Sequence, residues 1–527
     1  MTESHSTSAD KIGVETRLKR RRREEQRFRF YGLAAIVAAA SFLTVLLVSI
    51  VVQAFPAITH YKIEFETELD PAILAPNGAD DEAALAENVA GFYRLLREDL
   101  SARFLDPDAT RAERIELFGL VTRLAVIPVA QDVAANPQWL GAKKRFSVAL
   151  SDDVDLYLKG RATRQAIWSI TGPHKSQASP DGTVSVSLSA QAIERLKRVT
   201  PWAASGETFA IGAQSVLVRQ GHAVLRVLEI GEASLTGELL TGQFAPEAAR
   251  ALEVRLLGTP ETERNVTDKQ IAWTLALMHD GRLKRGLHTT LLTNADSTYP
   301  EIAGVFAALA GSFFTMVMTA ALALPIGVMA AIYLEEFAAK NRFTDLIEVN
   351  INNLAAVPSI VFGLLGAAVF LSWLGLPRSA PLVGGLVLAL MTLPTVIIAS
   401  RAALKSVPQS IRDAALGVGA SKTQAVLHHV LPLAAPGILT GAIIGLARAL
   451  GETAPLLLIG MVAFVAETPR GVTDEATVLP VLVFKWSTGA ERAWEPATAA
   501  AILILLFFMV VMNAAAVLIR SRLERRW

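Results

Sequence analysis

An arginine and a glutamate four residues apart, Arg448 and Glu452, interrupt the long apolar run from Leu433 to Val465. Four residues is just over one helical turn, so both groups share one face if the run is helical. An arginine near the centre of a membrane span costs about 2.5–3.5 kcal/mol, which it offsets by pairing or by lining a wet cavity. Its planar donors suit the oxygens of an oxyanion, and the carboxylate would neutralise it when no anion is present. Two readings follow: a resting ion pair for which an oxyanion transiently competes, or a structural pair that fastens this helix to its neighbours. Arginine before glutamate is the weaker order on a helix, so an interhelical partner for either group is reasonable. Arg401, nineteen residues into the preceding apolar run, is a candidate for that partner or a second anion contact, and equally for an arginine that snorkels to the interface. Ser359 could donate a hydrogen bond to a passing anion or serve small-residue helix packing.

These residues need membrane helices to hold them. The 527-residue chain is 52% hydrophobic, with a mean hydropathy of +0.40, above the apolar share of ordinary soluble proteins. Six runs reach the roughly 20 residues that cross hydrocarbon: Tyr31 to Ala54, Ile302 to Tyr333, Leu354 to Leu374, Leu382 to Ser400, Leu433 to Val465 and Ala493 to Leu518. The first is too long for a signal-peptide core and reads as an uncleaved anchor. Gly451 and Pro455 predict a kink in the fifth span, and Pro325 and Pro358 take comparable places in the second and third. Basic flanks stay in the cytoplasm. Arg17, Lys19, Arg20 to Arg23, Arg27 and Arg29 precede the first run, and Arg520, Arg522, Arg525 and Arg526 follow the last. Six spans then put both termini inside. Asn341 to Asn353, with an apolar stripe of Phe343, Leu346, Ile347 and Ile351, reads as an interfacial elbow helix.

The polar stretch Asp413 to Pro432 lies on the same cytoplasmic side. It predicts two very short helices, because Ser410 with Asp413 and Ser421 with Gln424 have capping-box spacing. Gly417 and Gly419 between them tolerate the positive φ that ends one helix and starts the next. The stretch resembles the EAA loop of ABC importer permeases: Asp413, Ala414, Ala415, Gly419, Leu431 and Pro432 fall at the motif's positions, with Asp413 where Glu is usual and His429 where Ile is usual. The segments from Gly311, Asn352 and Leu446, above all VPSIVFG and RALGETAPL, are similar to phosphate permeases of the PstA type. That resemblance covers most of Ser297 to Trp527. It implies a six-helix importer permease fold in a bacterial inner membrane, a PstB-like ATPase homodimer that binds the ATP, a related PstC-like second permease, and a PstS-like periplasmic binding protein that delivers phosphate. It also implies an arginine near Arg401 at the end of the fourth span.

Between the first two spans stand some 245 residues, enough for a core of their own. This 55–300 insertion is expected on the extracytoplasmic face as an α+β domain, giving the order 1–30 basic tail, 31–54 span, 55–300 domain, 301–518 permease with the EAA-like loop at 405–432, and 519–527 tail. Asp81 to Phe104 shows Leu85, Val89, Phe92, Leu96 and Leu100 at helical spacing, and Thr110 with Glu113 opens another helix. Thr183 to Ser189 alternates as a strand. Phe209 to Val218 and His222 to Ile230 read as a hairpin closed by Gln220 and Gly221. The common form of the family lacks so large an insertion, although some longer members carry one.

Composition narrows the chemistry. The absence of cysteine excludes disulfides, thiolate metal sites and a cysteine nucleophile. His60, His174, His222, His279 and His288 lack the paired spacing of a helical metal site. A net charge of +1 suggests no nucleic-acid partner. GVGASKT from Gly417 fails the Walker pattern, which needs glycine where Ser421 and Leu416 stand. No cofactor is therefore expected in this chain, and ATP hydrolysis is assigned to a partner. A permease for another oxyanion, sulfate or molybdate, is the runner-up; a membrane-anchored sensor using 55–300 is the alternative of a different class.

Overall fold

The computed structural model describes residues 8–76, 82–179, 182–199, 214–248, 251–462, 465 and 467–523. Five described helices are long and apolar enough to cross a bilayer: 21–58, Phe306–Phe337, Pro381–Ser406, Lys422–Gly451 and Trp494–Arg522. The third predicted span is corrected. Pro358 caps a new helix rather than kinking one, so Arg342–Ala355 and Ser359–Trp373 meet at a 99° bend. Asn341 starts the first of these by accepting from the amides of Phe343 and Thr344, and that helix turns Phe343 and Leu346 outward while Ile347 and Ile351 pack inward.

Small residues set the membrane packing. Leu431–Gly451 lies against Pro381–Ser406, with Gly437 facing Ala403, Gly441 facing Ala399 and Gly445 facing Thr392 and Thr395. A side chain at Gly441 would overlap Ala399, so glycine is what lets the two backbones approach. The ascending numbers on one helix meet descending numbers on the other, which makes the pair antiparallel. Gly385 performs the same service against Met318 of Phe306–Ile332, and Gly327 of that helix against Val396.

The chain between the first two of these helices folds as an α+β region of antiparallel sheets. β1 (Thr59–Glu68), β2 (Lys143–Ala149) and β11 (Leu283–Leu287) form one sheet in the order β11-β1-β2. The other, in the order β3-β10-β6-β7-β8-β5-β4-β9, contains β3 (Gln165–Ile170), β4 (His174–Ala178), β5 (Thr183–Ser187), β6 (Val216–Gln220), β7 (Ala223–Ile230), β8 (Ser234–Thr241), β9 (Glu247–Ala248) and β10 (Leu252–Leu257). In β5, Val184 and Val186 are buried as the alternation requires. The predicted hairpin exists, but its turn is Gly221–His222, because Gln220 still pairs with Ala223 and Gly221 takes φ +66°. Phe209 to Ala213 of that predicted strand lies outside the described residues. The Asp81 to Phe104 pattern divides at Asn88, whose side chain caps Val89–Phe104 by accepting from Gly91. Asp81 itself is not among the described residues. Leu85, Phe92, Leu96 and Leu100 are buried in one core with Phe65 and Phe146 of the small sheet.

Candidate functional site

The helix carrying Arg448 ends three residues later, at Gly451. Its end follows from Pro455, which has no amide to donate to the Gly451 carbonyl, so the ladder stops and a short helix, Ala454–Leu458, restarts beyond it. The predicted kink is thus a break. Glu452 sits in the break with extended backbone, φ −78° and ψ 121°, rather than on the helix face. Its carboxylate still reaches Arg448, at 3.7 Å from Nε, and the Arg448 side chain is 62% exposed within the single chain. Gly445, one turn back, faces Thr392 and Thr395, midway along Pro381–Ser406, so Arg448 stands at mid-depth of the neighbouring helix.

Ser359 belongs to the same neighbourhood. Gly363 lies against Pro455 and Leu458, and Gly366 against Ile459, so Ser359–Gly366 and Ala454–Leu458 run side by side in the same direction. Ser359 opens its helix one turn before Gly363. Arg401 is elsewhere. The antiparallel register places it beyond Ala399 and Gly441, about two turns from the level of Arg448. There it meets Glu335 (3.4 Å) and Glu348 (2.5 Å), with only 15% of its side chain exposed. The structure therefore pairs Arg448 with Glu452, sets Ser359 at the start of the helix packed on Pro455, and ties Arg401 to a different set of groups.

The polar element next to Arg401 is built from Gln409–Gly417 and Lys422–Ala425, followed by a wide turn into Leu431. The Ser421–Gln424 capping box forms in both directions, at 3.2 and 2.9 Å. The Ser410–Asp413 box does not, because Pro408 takes the cap position and moves Ser410 inside the helix, where Gln409 instead donates to Asp413 at 3.2 Å. Gly419 supplies the reversal with φ +87°. Asp413, Ala414 and Gly419 are exposed, Ala415 is buried, and Leu431 and Pro432 open the next helix half-buried. Val418, at 86% exposure, leads an outward apolar tip with Leu416 and Leu427.

Two groupings escaped the sequence reading. Arg412 is held by Glu336, 76 residues away, through contacts of 2.6, 3.1 and 3.2 Å. A second cluster gathers where the α+β region meets the Trp494 helix: His60, His288, Asp152, Asp155, Lys159 and Glu301 line a cavity of about 30 Å³. Lys159 bonds Asp155 and the carbonyls of Pro56 and Thr59, and the His60 and His288 rings lie 5.1 Å apart. Burial holds His60 neutral, with its pKa down to about 4 despite the Asp155 carboxylate. Burial, then the Glu301 charge, pushes Asp152 up to about 7. Glu301 is raised by the same desolvation while Thr122 donates to it. Among the described residues no group of three or more His, Cys, Asp or Glu is placed to hold a metal ion. Sequence distance hid both groupings; the only signal was the doubled glutamate of YLEEF.

Comparison with known proteins gives two family matches. Residues 323–525 match the model described as "Binding-protein-dependent transport system inner membrane component", and 15–167 match "Domain of unknown function (DUF3333)". The chain is 35% identical over 191 residues to the phosphate transport system permease protein PstA of Mycobacterium leprae, covering 36% of this chain and 62% of that protein. It is 37% identical over 156 residues to PstA 1 of Mycobacterium tuberculosis, covering 30% and 51%. For PstA of Haemophilus influenzae the identity is 30% over 209 residues, covering 40% of this chain and 72% of the relative. The chain thus spans only about half to three-fifths of the mycobacterial relatives. The inward-facing MetNI methionine ABC transporter aligns at 19% identity and a TM-score of 0.34, over 42% of this chain and 95% of that one.

Proposed function

Because this chain belongs to the binding-protein-dependent importer permeases, in their PstA phosphate-transport branch, we propose that it forms one membrane half of an ATP-driven importer of inorganic phosphate. The observation that carries the reading is the break at Gly451–Glu452, which leaves a mid-depth guanidinium 62% exposed beside one loosely placed carboxylate. An anion entering between the two halves competes with Glu452 for Arg448, and Ser359, on the helix packed against Pro455, adds a hydroxyl donor. Glu452 neutralises the arginine between turnovers.

In this proposal Ser359–Trp373 is the remaining span of a six-span chain with both termini in the cytoplasm. The 55–300 region is the extracytoplasmic domain, 301–518 the permease, 405–432 the coupling loop, and 1–30 and 519–527 the basic tails. Asp413, Ala414, Ala415 and Gly419, with Leu431 and Pro432 behind them, dock a separate ATPase dimer whose closure reorients the helices around the anion. A second permease completes the path, and a binding protein delivers phosphate from outside.

The test is labelled-phosphate uptake by membranes carrying the complete complex, with unlabelled phosphate, sulfate and molybdate as competitors. Competition by phosphate alone supports the reading. Equal competition by sulfate or molybdate would reassign the substrate, and an ATPase that never co-purifies would remove the transporter reading altogether.

A further inference from the structure

Glu335 and Glu336 close the Phe306–Ile332 helix in one wide turn, Tyr333–Phe337, and their cationic partners come from two other helices. Glu336 takes Arg412 of the Gln409–Gly417 helix in a two-oxygen grip, with 13% of the arginine side chain and 7% of the glutamate exposed. Arg412 has donors left over. Nη1 donates to the Val407 carbonyl at 2.7 Å and Nη2 to the Leu404 carbonyl at 3.0 Å, capping the end of Pro381–Ser406. Glu335 faces Arg401 and Lys405 of that same helix, at 3.4 and 3.5 Å. Arg401 reaches on to Glu348 of Arg342–Ala355, and the Lys422 ammonium lies 5.3 Å from the centre of the Phe337 ring.

The apolar seat of the Gln409–Gly417 helix is thin by comparison, since Ala415 is its buried residue and Ile411 packs only partly. A force applied to its exposed tip therefore has few routes into the spans. A buried ion pair is weak evidence for stability, because apolar groups of the same shape would serve as well. What a bidentate arginine adds is fixed direction. We propose that Glu335 and Glu336 form a two-sided latch, with Arg412 and Arg401 as its arms, which makes the Gln409–Gly417 helix, the ends of Phe306–Ile332 and Pro381–Ser406, and the elbow helix Arg342–Ala355 move as one body. These are positioning residues. The inference rests on the permease reading and goes beyond it by naming the groups through which motion passes.

The experiment uses the assembled transporter in proteoliposomes and reads phosphate moved per ATP hydrolysed. Glu336→Gln and Arg412→Lys keep the side-chain size but loosen the grip, and each is expected to lower that ratio about tenfold while ATP hydrolysis and ATPase co-purification persist. The exchanged pair, Glu336→Arg with Arg412→Glu, is expected to recover part of the ratio. An unchanged ratio in either single variant overturns the latch. So does loss of the ATPase or of the chain itself, which would assign the pair to docking or folding. Wild-type complexes that hydrolyse ATP but move no phosphate would instead reject the permease reading.

Discussion

Arginines of the membrane half stand in two opposite states. Around Arg401 and Arg412 every cation has carboxylates from other elements, Glu335, Glu336 or Glu348, and the two guanidinium side chains are 15% and 13% exposed. At the helix break, Arg448 has one carboxylate at 3.7 Å and is 62% exposed. A saturated arginine fixes the elements around it, because its donors have nowhere else to go. An unsaturated one at mid-depth has donors to offer a ligand. The difference separates a joint from a binding group by the number of partners rather than by residue type.

Removing the open arginine should have the largest effect. Arg448→Ala deletes charge-assisted hydrogen bonds of about 1.5–3 kcal/mol, which corresponds to roughly a ten- to hundredfold loss of phosphate uptake at unchanged membrane abundance. Uptake that survives intact would leave the pair with Glu452 a structural one. Arg401→Ala is expected to show a different signature. Taking Arg401 away from Glu335 and Glu348 costs roughly 1–3 kcal/mol, so the protein should accumulate less and melt earlier, and with one arm of the latch gone the surviving molecules should move less phosphate per ATP hydrolysed. Immunoblots of membranes alongside uptake separate the two outcomes.

The contrast also marks what the amino-acid order could disclose. Ser421 and Gln424 declared their capping box because both partners lie within one turn. Ser410 and Asp413 carried the same spacing, but Pro408 fixed the helix start two residues too early for it. Gly451 and Pro455 were visible as a disturbance in an apolar run, yet a kink and a break have the same hydropathy. Only the extended backbone at Glu452, between the two helices, distinguishes them. Arg448 and Glu452 stood out by being charged among apolar residues. The Arg412–Glu336 grip did not, since it spans 76 positions and both residues belong to segments already polar. The eight-stranded sheet interleaves its strands out of chain order, which alternation within single strands does not encode.

A third environment, outside the membrane, tests whether buried charge at the junction behaves like the joint. The Asp152 pKa is raised by burial and by Glu301 to about 7. The folded chain therefore favours the protonated acid, a contribution fully present below the ordinary pKa of 3.8 and lost as pH rises through about 7. Asp152→Asn removes that loss. Its melting temperature in detergent should exceed that of the unchanged chain at pH 8 by more than it does at pH 5; an equal difference at both would mean the carboxyl is not desolvated. His60 opposes it on the acid side, since a pKa lowered to about 4 costs stability as pH falls from 6.5 through 4.

The smallest expected change tests the cause of the break. Gly451 has ordinary negative φ and no atom within 4 Å of where a Cβ would stand, so Gly451→Ala meets no steric obstacle. Alanine is the better helix former by roughly 1 kcal/mol, and the helix already ends there because Pro455 lacks a donor. Gly451→Ala should leave uptake unchanged and raise stability slightly, if at all. Pro455→Ala restores the missing amide, lets the helix run on through Glu452, and brings the carboxylate onto the face of Arg448 as a tighter i,i+4 pair. Phosphate would then face a stronger competitor, seen as a higher KM. If Gly451→Ala instead raised KM and Pro455→Ala did not, flexibility at the glycine, and not the missing hydrogen bond, would be what keeps Arg448 open.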